Sequence, residues 1–105
     1  TVFNPGAKTM LCGFGSTLGV MREACAAAKD AGFIHYSQVW PFPEEATLAA
    51  LKMAGRVLTV ENNASGHLAR LIRRETGLKC GGSILKYDGR PFTFDEVVFA
   101  LEGGN

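Results

Sequence analysis

A regular alternation of short apolar runs with longer amphipathic stretches, each joint marked by glycine or proline, narrows the possible folds more than any other feature. The runs "TMLCGF" (9–14), "FIHYSQV" (33–39), "RVLTVE" (56–61) and "SILKY" (83–87) have the length of buried strands. The stretch 18–30 sets Met21, Ala24, Cys25 and Ala28 on one helical face, with Gly32 as the expected stop. A second helix is expected from Pro43, with Glu44 and Glu45 at the positive end of its dipole, ending at Gly55. Residues 66–76 bury Leu68, Leu71 and Ile72, turn Arg70, Arg73 and Arg74 to water, and close at Gly77. In "TFDE", Thr93 and Glu96 have capping-box spacing ahead of a helix carrying Val97, Val98 and Leu101. Strands separated by helices connect through right-handed crossovers. The expected fold is therefore a three-layer α/β/α sandwich with a mostly parallel sheet of four to five strands.

The chain of 105 residues is the size of one domain, read here as 1–105 with residues 1–7 as a linker. It opens at Thr1 without methionine, so a fragment of a longer protein is expected. The 11 basic and 10 acidic residues are interspersed and leave a net charge of +1, which argues against a nucleic-acid partner. No apolar run approaches the roughly 20 residues of a membrane span, and the start lacks the pattern of a signal peptide. Cys12, Cys25 and Cys80 are an odd count without a CxxC pair. That argues against a disulfide framework or cysteine metal site and suits a reducing cytoplasm.

In a parallel sheet the functional loops lie beyond the carboxyl ends of the strands. Here those are "GSTLG", "WPFP", "ENNASG" and "DGRPF". "CGFGSTLG" places Gly13, Gly15 and Gly19 one residue off the dinucleotide fingerprint, and no acid ends the next strand. Ser16 or Thr17 is the expected helix cap. The loop reads first as a tight turn, with anion binding at its backbone amides as the alternative. Trp40, Pro41, Phe42 and Pro43 form a stiff aromatic loop that either anchors a subunit contact or covers the sheet end. Glu61, Asn62 and Asn63 end the third strand, followed by Gly66 and His67. The residues alone leave a contest between a catalytic carboxylate and a well-made turn. His67, at a helix start, tends to be neutral, but no nucleophile or metal partner stands at a recognisable spacing. His35, within a strand, reads as packed or hydrogen-bonded.

Taken in series, "GFGSTLG…REA", "QVWPFPEE", "RVLTVENNASGHLARLIRRETG" and "ILKYDGRPFT" resemble the C-terminal, transketolase C-terminal-like domain of the alpha subunit of 2-oxoacid:ferredoxin oxidoreductases. The resemblance covers about residues 8–101 and implies a mixed five-stranded sheet with one antiparallel strand. His67 departs from it, since relatives often show glutamine there. The resemblance further implies a parent enzyme that decarboxylates a 2-oxoacid on thiamine diphosphate with Mg²⁺. Electrons would leave through iron–sulfur clusters to ferredoxin, and an acyl-CoA would form. The thiamine motif and the cluster cysteines belong to other regions, so this domain is expected to bind none of those cofactors. Its implied partners are the other domains of the alpha chain, a thiamine-binding beta subunit and gamma or ferredoxin-like subunits, in the cytoplasm.

No catalytic or metal residue is expected. The expected contact or anion-binding loops comprise Gly13, Gly15, Ser16, Thr17, Trp40, Pro41, Phe42, Pro43, Glu61, Asn62, Asn63, Gly66, His67 and Arg90. The rival expectations are a small CoA- or anion-binding module and the equivalent domain of another thiamine enzyme, such as transketolase or a dehydrogenase E1 beta subunit.

Overall fold

A computed structural model describes residues 1–37, 42–62, 66–86 and 90–102. Five strands form one sheet in the order β1-β3-β2-β4-β5. They are β1 (Val2–Phe3), β2 (Thr9–Phe14), β3 (Ala31–Tyr36), β4 (Arg56–Glu61) and β5 (Gly82–Leu85). All neighbours run parallel except β1, which pairs antiparallel with β3 through Val2↔Ile34 and Phe3↔Phe33. Four helices complete the layers: α1 (Leu18–Ala27), α2 (Glu44–Leu51), α3 (His67–Thr76) and α4 (Phe94–Leu101).

Side chains alternate across the strands and feed two cores. On one face Leu11, Phe33, Leu58 and Val60 pack with Met21, Ala24 and Cys25 of α1 and Val97 and Ala100 of α4. On the other, Met10, Cys12, Ile34 and Tyr36 meet Ala50 and Leu51 of α2 and Leu68 and Ile72 of α3. The expected α/β/α sandwich is therefore present, and α1/α4 and α2/α3 are its outer layers. Each fully buried large side chain contributes roughly 1.5–3 kcal/mol from its removal from water.

Several boundaries differ from the sequence expectation. Within the stretch read as a linker, Val2–Phe3 forms the antiparallel edge strand, and Thr1 exchanges hydrogen bonds with the His35 backbone (2.8 and 3.1 Å). Helix α1 ends at Ala27, because Ala28 is already extended. Asp30, not a glycine, takes the left-handed position at φ 54°, which its short polar side chain tolerates. Gly32 is thus no helix stop. It lies in β3, where a Cβ would press on the Phe3 and Asn4 carbonyl oxygens and reach Met10 Sδ at 2.8 Å. Its missing side chain lets β1 cross closely. Pro43 sits one residue before α2, and α2 ends at Leu51, ahead of Gly55. Strand β5 begins at Gly82 and ends at Leu85, so the expected 83–87 run is shifted; its last residue, 87, lies outside the described residues.

Other local signals hold as written. The Thr93/Glu96 capping box is formed, with Glu96 N–H donating to Thr93 Oγ1 (3.2 Å) and Thr93 N–H to Glu96 Oε1 (2.7 Å). Gly77 closes α3 at φ 80°, in the left-handed region.

Candidate functional site

The carboxyl ends of β2, β3 and β4 point to one edge of the sandwich, where the loops singled out above leave the sheet. Among the described residues, the first loop is a 3-10 turn over Gly15–Thr17 leading straight into α1. Gly13 precedes it, buried in β2, where a Cβ would lie 2.5 Å from Thr17 Oγ1. Gly15 adopts φ 69° and its carbonyl accepts from His35 Nε2 at 2.9 Å. That bond fixes the proton on Nε2 and explains His35 as a support for the turn. Ser16 is exposed, whereas Thr17 is buried and donates to the Phe14 carbonyl (3.1 Å). Neither hydroxyl caps α1.

Phe42 and Pro43 are held from below. Thr47 Oγ1 donates to the Pro43 carbonyl (2.8 Å), so the Tyr36 hydroxyl donates to Thr47 Oγ1 (2.8 Å). The Phe42 ring lies 5.3 Å from that of Tyr36 and packs on the α2/α3 core. Burial pushes the Tyr36 hydroxyl well above the ordinary phenol range. Phe42 is therefore part of the core cover; Trp40 and Pro41 lie outside the described residues.

Glu61 ends β4 and is only 1% exposed. Its carboxylate accepts from the backbone N–H groups of Leu68 (2.7 Å) and Ala69 (3.3 Å), in the first turn of α3. A buried anion on the positive end of a helix supplies acceptors to donors that the helix itself leaves unpaired. Gly66 makes this geometry possible, since it turns the chain at φ 65° and its Cα region lies beside Glu61 Oε2. The carboxylate is thus engaged with the first turn of α3. Asn62 and His67 are exposed, and Asn63 lies outside the described residues.

A cavity of about 250 Å³ joins three of the four loops, with Ser16, Thr17, Asn62, Pro91, Phe92 and Phe94 among its lining residues. Val20 and Glu23 also line it. Ser16, Val20 and Glu23 follow a spacing of four and three, so a helical reading of "STLGVMRE" contained the signal that these residues share a face. His67 does not join this cavity. It lies on a separate basic surface with Arg70, Leu71 and Arg74. Arg90 is exposed, and Asp88 and Gly89 are outside the described residues.

Two observations bear on anion binding. Glu23, in the second turn of α1, lines the cavity and adds negative charge there, and Glu61 already occupies the donors of Leu68 and Ala69 at the start of α3. Both disfavour an external anion, in the cavity and at the start of α3. Cys12 and Cys25 are buried core residues, and Cys80 packs against the α2/α3 core. Burial raises the Cys25 and Cys80 thiols to about 11 and pushes Cys12 well above the usual thiol value, which disfavours reactive thiolates. Among the described residues, no cluster of three His, Cys, Asp or Glu side chains could hold a metal ion, and no helix is long and apolar enough to cross a membrane.

The comparisons with known proteins agree on one lineage. Residues 7–97 match the family model described as pyruvate:ferredoxin oxidoreductase core domain II. The chain is 35% identical over 100 residues to 2-oxoacid:ferredoxin oxidoreductase 2, subunit alpha, of Aeropyrum pernix, covering 91% of this chain and 16% of that relative. It is 29% identical over 96 residues to the corresponding subunit alpha 1 of Sulfurisphaera tokodaii, covering 90% of this chain and 15% of the relative. The chain thus spans about a sixth of the length of the curated relatives it matches. Among solved structures, 2-oxoglutarate:ferredoxin oxidoreductase from Magnetococcus marinus, with 2-oxoglutarate, coenzyme A and succinyl-CoA bound, superposes with a TM-score of 0.88 at 28% identity. That match covers 98% of this chain and 19% of the other. The family match across nearly the whole sequence, together with the shared five-stranded fold, shows that this chain belongs to the pyruvate:ferredoxin oxidoreductase core domain II family.

Proposed function

We propose that this chain is a structural, subunit-contact domain of the alpha subunit of a thiamine diphosphate-dependent 2-oxoacid:ferredoxin oxidoreductase, and that it carries no catalytic group of its own. The parent complex would oxidatively decarboxylate a 2-oxoacid, transfer the acyl group to CoA and reduce ferredoxin. Thiamine diphosphate, Mg²⁺ and iron–sulfur clusters would be held by other regions and by the beta and gamma or ferredoxin-like subunits, in the cytoplasm.

The observation that carries this reading is the state of Glu61. It is the buried carboxylate at the strand-end loops, and its oxygens accept from the α3 backbone at Leu68 and Ala69. At the same edge of the sandwich, Ser16, Asn62, Pro91 and Phe94 present a mixed polar and apolar surface of the kind that packs on a neighbouring domain. The 105-residue domain incubated with thiamine diphosphate, Mg²⁺ and a panel of 2-oxoacids should release no CO₂ above background; turnover under those conditions would refute the proposal.

The rival reading as a CoA- or anion-binding module is weakened by Glu23 in the cavity and by the engaged α3 donors. Calorimetric titration of the domain with CoA or phosphate tests it, and no heat at millimolar ligand is expected. Membership in the oxidoreductase domain family favours that parent over transketolase or a dehydrogenase E1 beta subunit.

A further inference from the structure

The strand-end loops are one face of the domain; the open flank of the sheet is another. Strand β5 pairs with β4 on one side and has no other strand neighbour among the described residues. Soluble domains normally blunt such an edge with lysine, proline, a bulge or extreme shortness, because its backbone groups template pairing with another chain. The opposite edge follows that rule, since β1 is two residues long. Strand β5, "GSIL", carries no charge and no proline. The nearest lysine, Lys86, does not guard it. Its Nζ is tied to both oxygens of Glu96 on α4, at 2.8 and 3.0 Å.

Beside this edge runs a groove of about 680 Å³ between β5 and α4. Leu58, Ile84, Leu85 and Phe99 line it, with Phe99 59% exposed and Leu85 39% exposed. Gly81 and Gly82 add no side chains to its wall, so a second backbone could approach closely. Arg56 also lines the groove and makes no ion pair among the described residues. Ser83 and Glu96 also line the groove, so its wall is mixed in polarity. An uncharged edge that is open among the described residues, next to such a groove, has the two elements of strand addition: main-chain hydrogen bonds and a receptacle for alternate side chains.

We propose that β5 accepts an extended segment from elsewhere in the same subunit. The segment would add to the sheet as a sixth strand, set a bulky apolar side chain against Phe99, and place an acidic residue near Arg56. The assignment rests on the reading of this chain as a contact domain. It commits to the same subunit because the matched region is 16% of the length of the relative, so most of such a subunit lies outside these residues.

The test uses the full-length subunit, alone and in its complex. Hydrogen exchange should find the β5 amides protected on both flanks, the outward ones exchanging at least about 100-fold slower than in an open edge. A photoreactive benzoylphenylalanine replacing Phe99 should cross-link within the subunit to a segment outside these residues. Outward amides that exchange within seconds would overturn the proposal, and so would cross-links to a second copy or to another subunit. In those cases protection of Ser16 and Asn62 in the same data would leave the contact-domain reading standing. Loss of protection at both faces would remove the two together.

Discussion

Replacing Glu61 tests the structural account where it differs most from a catalytic one. In Glu61→Ala the buried Leu68 N–H loses its 2.7 Å acceptor and the Ala69 N–H its 3.3 Å acceptor. An unsatisfied buried donor costs about 1–3 kcal/mol, and a carboxylate lost from a helix start costs a further ~0.3–2 kcal/mol. The part-buried Ala69 donor recovers water, so the expected total is about 3–4 kcal/mol. Glu61→Gln keeps one oxygen for Leu68 and fills the same space, and should cost about 1–2 kcal/mol. For a domain of this size each kcal/mol lowers Tm by roughly 4–8 °C. Urea unfolding followed by circular dichroism should therefore rank the proteins wild type, Gln, Ala, with faster amide exchange at Leu68 and Ala69 in the alanine variant. An alanine variant within about 0.5 kcal/mol of wild type would refute the assignment of Glu61 as the anchor of α3.

Three further outcomes follow from the packing. Gly32→Ala should displace β1, because the new Cβ meets the Phe3 and Asn4 carbonyls. The His35 amide, which donates to Thr1 O at 2.8 Å, should then lose its exchange protection, and unchanged protection would contradict the close crossing. Thr93→Ala should cost about 1 kcal/mol in urea unfolding by opening the capping box at α4, and a neutral result would mean the box is idle. The buried thiols predict an alkaline limit. Cys25 and Cys80 have folded values raised to about 11 from 9.0, so their contribution is full below about pH 9 and fades as pH rises toward 11. Thermal melts between pH 8 and 10.5 should show that decline, and Cys80→Ala should reduce its slope; a flat profile in wild type would contradict the burial of these thiols.

The parallel strands were legible because their apolar runs are long enough to stand out. The runs at 9–14 and 56–61 coincide with β2 and β4, and the local signals of α3 and α4, Gly77 and the Thr93/Glu96 box, formed as their spacing implies. Strand β1 was not legible, since two residues carry no periodicity and their pairing is set by β3, some thirty residues away. Gly32 was misread for a related reason: a glycine after a helix looks like a stop, but its requirement here comes from the tertiary approach of β1. For the site, the strand pattern brought these loops to one edge, and the residues taken alone left the role of Glu61 open until the resemblance placed it in a contact loop. Its partners in the structure, the Leu68 and Ala69 amides, lie seven and eight residues downstream, and the turn at Gly66 brings them to the carboxylate. The sequence also singled out His67 with the others, whereas the structure turns that ring to a different surface, beside Arg70 and Arg74.

The most direct measurement is the turnover of the assembled parent complex carrying Glu61→Gln, normalised to the amount of assembled enzyme. If Glu61 supports structure and this domain contributes contacts, kcat per complex should stay within about twofold of wild type, with any loss appearing in stability or assembly. Removal of a general acid or base costs typically 10²–10⁴-fold. A drop of that size, with assembly and Tm unchanged, would contradict the account and place this carboxylate in the chemistry.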